Sequence, residues 1–133
     1  MNKGKAVINN LMRDGYKVTA INDIDSTRCS GYPDTVAVAK CPREVAEMSD
    51  VIVSGLPKPP HVKAAFEGSD GICAGLQPGK IWVDHSTTDF NQNYEFSKMA
   101  AAKGAQILEA PITGGLEALK KGQMAVWVRA TIV

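Results

Sequence analysis

The spacing of apolar residues divides the chain into alternating helices and strands. In residues 5–14, Val7 and Leu11 recur four positions apart, which is the spacing of one helix face, and Gly15 follows as a helix stop. Residues 17–22 (KVTAIN) have the β-branched and apolar composition of a short strand. The amino-terminal part therefore predicts a helix followed by a strand.

Two later segments have more extended patterns. Residues 50–54 (DVIVS) form a nearly continuous apolar run, which predicts a strand covered on both faces. A long helix is predicted to begin after a cap at Thr88 or Asp89 and to run to residue 103. Its inward-facing positions are expected to include Phe90, Tyr94 and Ala101.

The remaining elements continue the alternation. Further strands are predicted at residues 35–39, 80–83, 106–108 and 124–128, and further helices at residues 42–48, 60–67 and 115–121, with a glycine-rich loop at residues 68–79. Strands that alternate with helices at this spacing predict a doubly wound, parallel α/β sheet. The order of elements fits a Rossmann-like fold with a mostly parallel sheet. Its opening strand and Gly-x-Gly-x-x-Gly loop are missing from this sequence.

The composition indicates a single globular domain over residues 1–133. The chain is 44% apolar and 22% charged, and its net charge of +1 gives no basis for nucleic acid or an anionic membrane as a partner. Polar residues break every apolar run before it could span a bilayer. The amino terminus lacks the apolar core of a secretory signal, and three cysteines without metal-type spacing favour free thiols. We expect a cytoplasmic or mitochondrial protein rather than a secreted one.

Two positions near the amino terminus suit a dinucleotide. Gly4 stands at the start of the first helix, where free backbone N–H groups and partial positive charge favour a pyrophosphate. Asn22 and Asp23 end the next strand, roughly 20 residues further on, where an acidic side chain meets the adenosine ribose in such domains. Asp23 could equally begin a turn. In the ribose role it would repel a 2′-phosphate, which favours NAD over NADP.

Small and hydroxyl-bearing residues follow two other strands. These are residues 84–87 (DHST) and residues 109–115 (EAPITGG). Ligands of a parallel sheet lie just beyond the carboxyl ends of its strands, where hydroxyl and backbone N–H groups can hold a carboxylate or a ribose phosphate. Ser86 and Thr87 suit either a helix cap or a ligand. Asp84 is predicted to have a structural role, bonding to the backbone at the strand end.

A proline turn and a histidine complete the set of candidates. Leu56-Pro57 ends the strand at residues 50–54, where a rigid turn either merely stops the strand or walls the nicotinamide side of a cleft. His61 is more often an exposed residue at a helix start than a catalyst. No cysteine or carboxylate is spaced to act with it as a nucleophile or as a metal ligand.

Taken in order, these motifs resemble those of the β-hydroxyacid dehydrogenase family, the group of 3-hydroxyisobutyrate dehydrogenase and its glyoxylate-reductase relatives. Leu56-Pro57 resembles that family's strand-end Leu-Pro, residues 84–87 its Asp-x-Ser-Thr, and residues 109–115 its Asp-Ala-Pro-Val-Ser-Gly-Gly. Residues 2–4 resemble the end of its Gly-Leu-Gly-x-Met-Gly motif. The related 6-phosphogluconate dehydrogenases have Asp-Gly-Gly-Asn where this chain has residues 84–87, so a sugar-phosphate substrate is disfavoured.

The resemblance implies a role for each matching residue. The cofactor, NAD with NADP the less favoured alternative, is expected to contact Asn2, Gly4, Leu56, Pro57 and Thr87. The adenosine ribose is expected to face Asn22 and Asp23, and His61 stands where the family often has a cofactor-contacting Asn. The carboxylate and hydroxyl end of a small hydroxy acid is expected to bind Ser86, Thr113, Gly114 and Gly115.

The resemblance also implies what lies outside this sequence. In the family, the catalytic lysine belongs to an all-α second domain, so no catalytic residue and no metal site are expected in residues 1–133. The parent reaction would interconvert a small 3-hydroxy acid and its semialdehyde, without turnover by this polypeptide alone. Homo-oligomers would form through the second domain. The alternative is a non-enzymatic, truncated isoform that acts as a cofactor- or partner-binding module.

Overall fold

Helices and strands alternate along residues 3–131, the part of the chain that a computed structural model describes. In chain order the elements are α1 (Lys3–Arg13), β1 (Ala20–Ile21), a 3-10 turn (Ser26–Cys29), β2 (Ala37–Val38), α2 (Pro42–Met48), β3 (Val51–Ser54), α3 (Pro59–Phe66), α4 (Ile72–Gly75), β4 (Ile81–Asp84), α5 (Phe90–Ala102), β5 (Gln106–Glu109), β6 (Ile112–Thr113), α6 (Gly115–Lys120), β7 (Ala125–Val126) and β8 (Arg129–Ala130).

The main sheet contains β3, β4, β5 and β8 in that order. Its first three strands are parallel, and β8 joins β5 in the antiparallel direction. β1 pairs with β2 in parallel, and β6 pairs with β7 in antiparallel fashion. Parallel strands linked by helices are the arrangement that the sequence predicts. The Rossmann-like α/β fold is therefore confirmed.

A break in hydrogen bonding separates β1 from β3. Within residues 3–131, β1 pairs only with β2, and the main sheet begins at β3. In the Rossmann strand order the first strand lies between the second and the fourth, which are the places of β1 and β3 here. The break thus lies at the position that the opening strand holds in a Rossmann sheet.

Three aromatic rings form the centre of the core. Phe66 of α3 stacks on Trp82 of β4 with 4.7 Å between ring centroids, and Phe96 of α5 lies 4.4 Å from Phe66. All three side chains are buried. Because the rings come from two helices and the strand beneath them, they hold α3 and α5 on one face of the sheet. The carboxyl ends of β3, β4 and β5 meet at one edge of this assembly.

Local capping signals are confirmed. The Asp89 carboxylate accepts a hydrogen bond from the Gln92 backbone N–H at 3.0 Å, so Asp89 rather than Thr88 caps α5. Pro42 occupies the first turn of α2. The loop predicted at residues 68–79 contains the single turn of α4.

The prediction that β3 is covered on both faces is wrong. Ile52 is buried in the core, but Val51 and Val53 are 53% and 39% exposed. Successive side chains of a strand point to opposite faces. One face of β3 therefore packs on the aromatic core, and the described elements leave the other partly open.

The predicted inward face of α5 is also wrong. Phe90 is 58% exposed and Tyr94 is 40% exposed. The helix instead buries Asn93, Phe96, Ser97 and Ala100. Their spacing of three and four residues forms one stripe, and residues 90, 94 and 101 fall on the other side of the helix. Contact of Phe96 with the other core rings sets this orientation.

The predicted last strand, residues 124–128, is wrong in its bounds. Ala125 and Val126 pair with β6, and the chain then moves to β5, where Arg129 pairs with Glu109. Trp127 and Val128 connect the two pairings and are 70% and 65% exposed. The segment around the predicted strand therefore contributes one short strand to each of two different sheets.

Neither a membrane-spanning helix nor a metal-binding cluster is present in residues 3–131. None of their helices is long and apolar enough to cross a membrane. They contain no group of three His, Cys, Asp or Glu side chains that could hold a metal ion. Cys29, Cys41 and Cys73 are free thiols, and Cys41 is the most accessible of the three because the other two are buried.

Candidate functional site

Asp84 joins the ends of two neighbouring strands. Its Oδ1 atom accepts hydrogen bonds from the Ser54 hydroxyl at 2.7 Å, the Ser86 hydroxyl at 2.6 Å and the Ser86 backbone N–H at 3.1 Å. The side chain is 1% exposed, and its Oδ2 atom has no partner among the described residues. The predicted structural role of Asp84 at the strand end is therefore confirmed.

The Ser86 hydroxyl links the loops that follow β3 and β4. It donates to Asp84 and accepts from the Leu56 backbone N–H at 2.8 Å. Ser86 is itself buried. Its proton is thus used within the protein, and any part that Ser86 takes in holding a substrate stays a prediction. Thr87, the next residue, is exposed.

His85 links the ends of β4 and β5 in turn. Its Nδ1 atom lies 2.6 Å from the Ala110 carbonyl oxygen, which can only accept, so Nδ1 carries the proton. The Ala110 backbone N–H donates to the Asp84 carbonyl at 2.7 Å. The three loops after β3, β4 and β5 therefore form one connected edge.

A cavity of about 410 Å³ opens at this edge. The loop after β4 contributes Ser86, Thr87 and Thr88, and β5 and its following loop contribute Glu109 and Pro111. The outer wall consists of Trp127, Val128 and Arg129. A smaller cavity of about 220 Å³ lies at the opposite edge, beside the residues that precede β1 and β2. Only the larger one lies where a parallel sheet binds its ligands.

A charged network closes one side of this cavity. Glu109 is 9% exposed; its Oε1 atom accepts a hydrogen bond from the Asn93 amide, which also donates to Thr88. Its Oε2 atom accepts from Arg129 Nε at 2.7 Å, and Arg129 Nη2 binds the same oxygen. The Arg129 guanidinium lies 5.2 Å above the Phe90 ring. Both oxygens of Glu109 are therefore engaged by side chains of α5 and β8.

The amino end of α1 lies beside the loop after β3. A Cβ atom on Gly55 would lie 3.3 Å from Lys3 Cδ, so Gly55 allows this close approach. Gly4 is in the first turn of α1, which contains no acidic residue. Leu56 is half-buried and Pro57 is exposed. The amino end of α1, with its free backbone N–H groups, thus lies against the loop that leads into the Leu56-Pro57 turn.

Asn22 and Asp23 lie at the carboxyl end of β1. The Asn22 amide donates to the Ala39 carbonyl at 3.0 Å and ties β1 to the residue after β2. Asp23 Oδ1 accepts from the Asp25 backbone N–H at 2.9 Å, which is the local turn that the sequence left as one alternative. Its second carboxylate oxygen makes no hydrogen bond within residues 3–131, so a ribose contact stays a prediction.

The remaining candidates lie apart from the larger cavity. Thr113 lies on β6 with its hydroxyl 3.4 Å from the Ala125 carbonyl, and Gly114 (φ +115°) and Gly115 (φ +77°) begin α6. None of the three lines that cavity. His61 is exposed near the start of α3, as its sequence position indicated. Asn2 lies outside the described residues.

Sequence reasoning missed three residues at the cavity, namely Asn93, Trp127 and Arg129. Asn93 is a helix-interior polar residue, and its only signal is its place on the stripe that Phe96 and Ala100 define. Trp127 lies within the predicted strand at residues 124–128 and Arg129 follows it. Both acquire a site position only because the chain crosses from β6 to β5. Residues 129–133 (RATIV) do not match the β-hydroxyacid dehydrogenase pattern, and this mismatch is the one feature of the sequence that could have drawn attention to Arg129.

Comparison with known proteins decides the family. The family described as the NAD binding domain of 6-phosphogluconate dehydrogenase matches residues 2–131. The chain belongs to this family. Its members bind NAD or NADP, and the predicted resemblance to β-hydroxyacid dehydrogenases is confirmed by the curated relatives. Mitochondrial 3-hydroxyisobutyrate dehydrogenase of Homo sapiens is 31% identical over 128 residues.

Solved structures support the same grouping of this NAD-binding domain. A 3-hydroxyisobutyrate dehydrogenase of Mycobacterium tuberculosis, solved with L-serine, has a TM-score of 0.81 and 26% identity over 95% of this chain and 42% of that protein. A protein named Psf3, in complex with NADP+ and 2-OPP, has a TM-score of 0.85 over 97% of this chain and 46% of that one; at 19% identity it supports the fold alone. The human relative is matched over 96% of this chain, which spans 38% of that relative's length.

Proposed function

We propose that the chain is the cofactor-binding domain of an oxidoreductase that interconverts a small 3-hydroxy acid and its semialdehyde. The observation that supports this most is the cavity at the carboxyl ends of β4 and β5, which the Ser86 hydrogen bonds connect to the loop after β3. A hydride donor and its acceptor must lie side by side, and this connected edge offers adjacent places for both.

In this proposal the cofactor spans the edge from β1 to β4. Gly4 and the free N–H groups of α1 receive the pyrophosphate, and Asp23 receives the adenosine ribose through its unpartnered oxygen. Leu56, Pro57 and Thr87 contact the nicotinamide half, and Asn22 supports Asp23 through its bond to Ala39. Bound cofactor supplies hydride chemistry, and these side chains supply its orientation.

The acid substrate would lie next to the nicotinamide, against Thr87 and the loop after β5. Thr113 on β6 and Gly114 and Gly115 at the start of α6 do not line the cavity, and we propose that they reach the substrate with hydroxyl and backbone donors from its border. The general acid–base group of the reaction is expected from a domain beyond residue 133. We therefore expect no hydride transfer from 3-hydroxyisobutyrate to NAD by residues 1–133 alone. The relatives' mitochondrial names and the three free thiols favour a mitochondrial or cytoplasmic location.

Calorimetric titration with NAD and with NADP tests the proposal. Weak, saturable binding of NAD is expected, with weaker binding of NADP, since the carboxylate of Asp23 repels a 2′-phosphate. Asp23→Asn should reduce the preference for NAD by about tenfold, which corresponds to about 1.4 kcal/mol. Asp34→Asn, which removes an exposed carboxylate from a turn, is the matched control and should leave the preference unchanged.

The alternative function is a non-enzymatic module that recruits another chain. The break between β1 and β3 favours it, because unpaired strand edges accept further strands. The same titration separates the two functions. Absence of NAD and NADP binding by a chain that unfolds cooperatively would reject the oxidoreductase domain in favour of the module.

A further inference from the structure

Among residues 3–131, Arg129 is the only cationic side chain that lines the larger cavity, and Glu109 is the only anionic one. Arg129 is 55% exposed although two of its nitrogens bind Glu109. Its third nitrogen, Nη1, makes no hydrogen bond within the described part of the chain. A guanidinium has donors on all three nitrogens, so Arg129 retains donors for a second acceptor after it has bound Glu109.

The position of Arg129 is fixed from several directions. The β5–β8 pairing places its backbone opposite Glu109, the carboxylate holds its Nε edge, and the Phe90 ring supports its planar face. A side chain held in this way loses little further freedom when it binds a ligand. Arg129 is therefore preorganised, unlike an arginine that extends freely into solvent.

The rest of the cavity defines the kind of anion that fits. Trp127 and Val128 provide an apolar wall, and Thr87 is a hydroxyl-bearing residue of the lining. Glu109 already balances the single charge of Arg129, so one added carboxylate leaves the cavity with one net negative charge. A second carboxylate would meet no further cation among the lining residues. The cavity therefore matches a short-chain monocarboxylate that carries a hydroxyl group.

We propose that Arg129 anchors the carboxylate of the ligand in this cavity and that Glu109 acts as its internal counter-ion, which selects monocarboxylates. This inference rests on the proposed function and adds to it a specificity-determining residue. Glu109 competes with the ligand for Arg129, so removal of its charge should strengthen binding of the acid. Removal of Arg129 should weaken it. Loss of folding could not produce both results.

The fluorescence of Trp127 offers a direct readout. Trp127 lines the cavity and is 70% exposed, whereas Trp82, the other tryptophan, is fully buried. We would titrate the 133-residue chain with 3-hydroxyisobutyrate and with 2-methyl-1,3-propanediol, in which a hydroxymethyl group replaces the carboxylate. Trp127→Phe should abolish the signal and so identify its source.

Three variants and one control carry the test. Arg129→Ala should weaken binding of the acid by about tenfold or more and leave binding of the diol unchanged, because a hydrogen-bonded charge pair is lost. Arg129→Lys should give an intermediate affinity, since it keeps the positive charge but loses the planar guanidinium that donates two parallel hydrogen bonds. Glu109→Gln should tighten binding of the acid by about threefold to tenfold. The control, Arg28→Ala, removes an arginine of 56% exposure that is paired with Asp25.

The outcomes that overturn the inference are distinct from those that overturn the proposed function. Equal affinities of Arg129→Ala and Arg28→Ala for the acid would exclude Arg129 as the anchor, as would equal binding of acid and diol by the unmodified chain. Weaker binding of the acid by Glu109→Gln would exclude the counter-ion role. A chain that gives no Trp127 response to the acid at millimolar concentration also rejects the inference. In each case the titration with NAD and NADP still decides the function.

Discussion

Substitution of Asp84 tests whether one carboxyl group holds the site edge together. Its Oδ1 atom receives three hydrogen bonds from Ser54 and Ser86, all in a nearly solvent-free position. In Asp84→Ala these donors lose their acceptor. The two hydroxyls can rotate toward other acceptors, but the Ser86 backbone N–H cannot. At about 1 kcal/mol for each bond, plus the cost of the unpaired N–H, the loss is about 3–5 kcal/mol.

Asp84→Asn is the informative comparison. Its amide oxygen can replace Oδ1 as acceptor, while its NH₂ group takes the place of Oδ2, which has no partner among the described residues. One unpaired amide group costs about 1–3 kcal/mol, so this variant should lose less stability than Asp84→Ala. Asp34→Ala, at an exposed turn, should stay within about 0.5 kcal/mol of the unmodified chain.

Urea denaturation followed by far-ultraviolet circular dichroism measures these differences. The free energy of unfolding of such domains is about 5–15 kcal/mol, so Asp84→Ala should lose a large fraction of its stability. The slope of the free energy against urea concentration should change little. A loss of about 3–5 kcal/mol in the free energy of unfolding is expected for Asp84→Ala. If the values of Asp84→Ala, Asp84→Asn and Asp34→Ala differed by less than about 1 kcal/mol, the three hydrogen bonds would not contribute this stability.

Two further predictions concern the backbone and the thiols. Gly71→Ala should lose about 2–4 kcal/mol of stability in the same urea assay, because its Cβ would lie 2.3 Å from the Glu67 carbonyl oxygen. Gly15→Ala, whose Cβ meets open space at φ +86°, should lose only about 1 kcal/mol. Equal losses of stability in the two variants would contradict the clash at Gly71. Burial raises the pKa of the Cys73 thiol. Its contribution to stability is therefore fully present below the ordinary thiol pKa and falls as pH rises through the raised value. In mildly alkaline iodoacetamide Cys41 should be alkylated before Cys73, and the reverse order would contradict this assignment.

Features with a local cause could be predicted from the sequence. The start of α2 at Pro42 and the cap of α5 at Asp89 depend on a few neighbouring atoms, and both are confirmed. The parallel order of β3, β4 and β5 follows from apolar strands separated by helices. The same holds for the strand-end role of Asp84, which requires only that a carboxyl group find donors two residues away and on the next strand.

Features that depend on distant partners could not be predicted. Val53 is apolar enough for a two-sided strand, but its burial depends on what covers that face. Phe90 has the composition of a core residue, yet it supports Arg129 at the surface because Phe96 fixes the rotation of α5. The Glu109–Arg129 pair joins residues whose contact arises from a crossing between two sheets, and no periodicity encodes that crossing.

Backbone amide chemical shifts recorded with and without NAD test most directly whether the loops after β3 and β4 form one ligand-binding edge with the end of β1. The account predicts that the largest shifts occur at Asp23, Leu56 and Thr87, and that 3-hydroxyisobutyrate adds shifts at Arg129. Shifts confined to the smaller cavity beside Gly15 and Val36, or no shifts at saturating NAD in a folded chain, would contradict it.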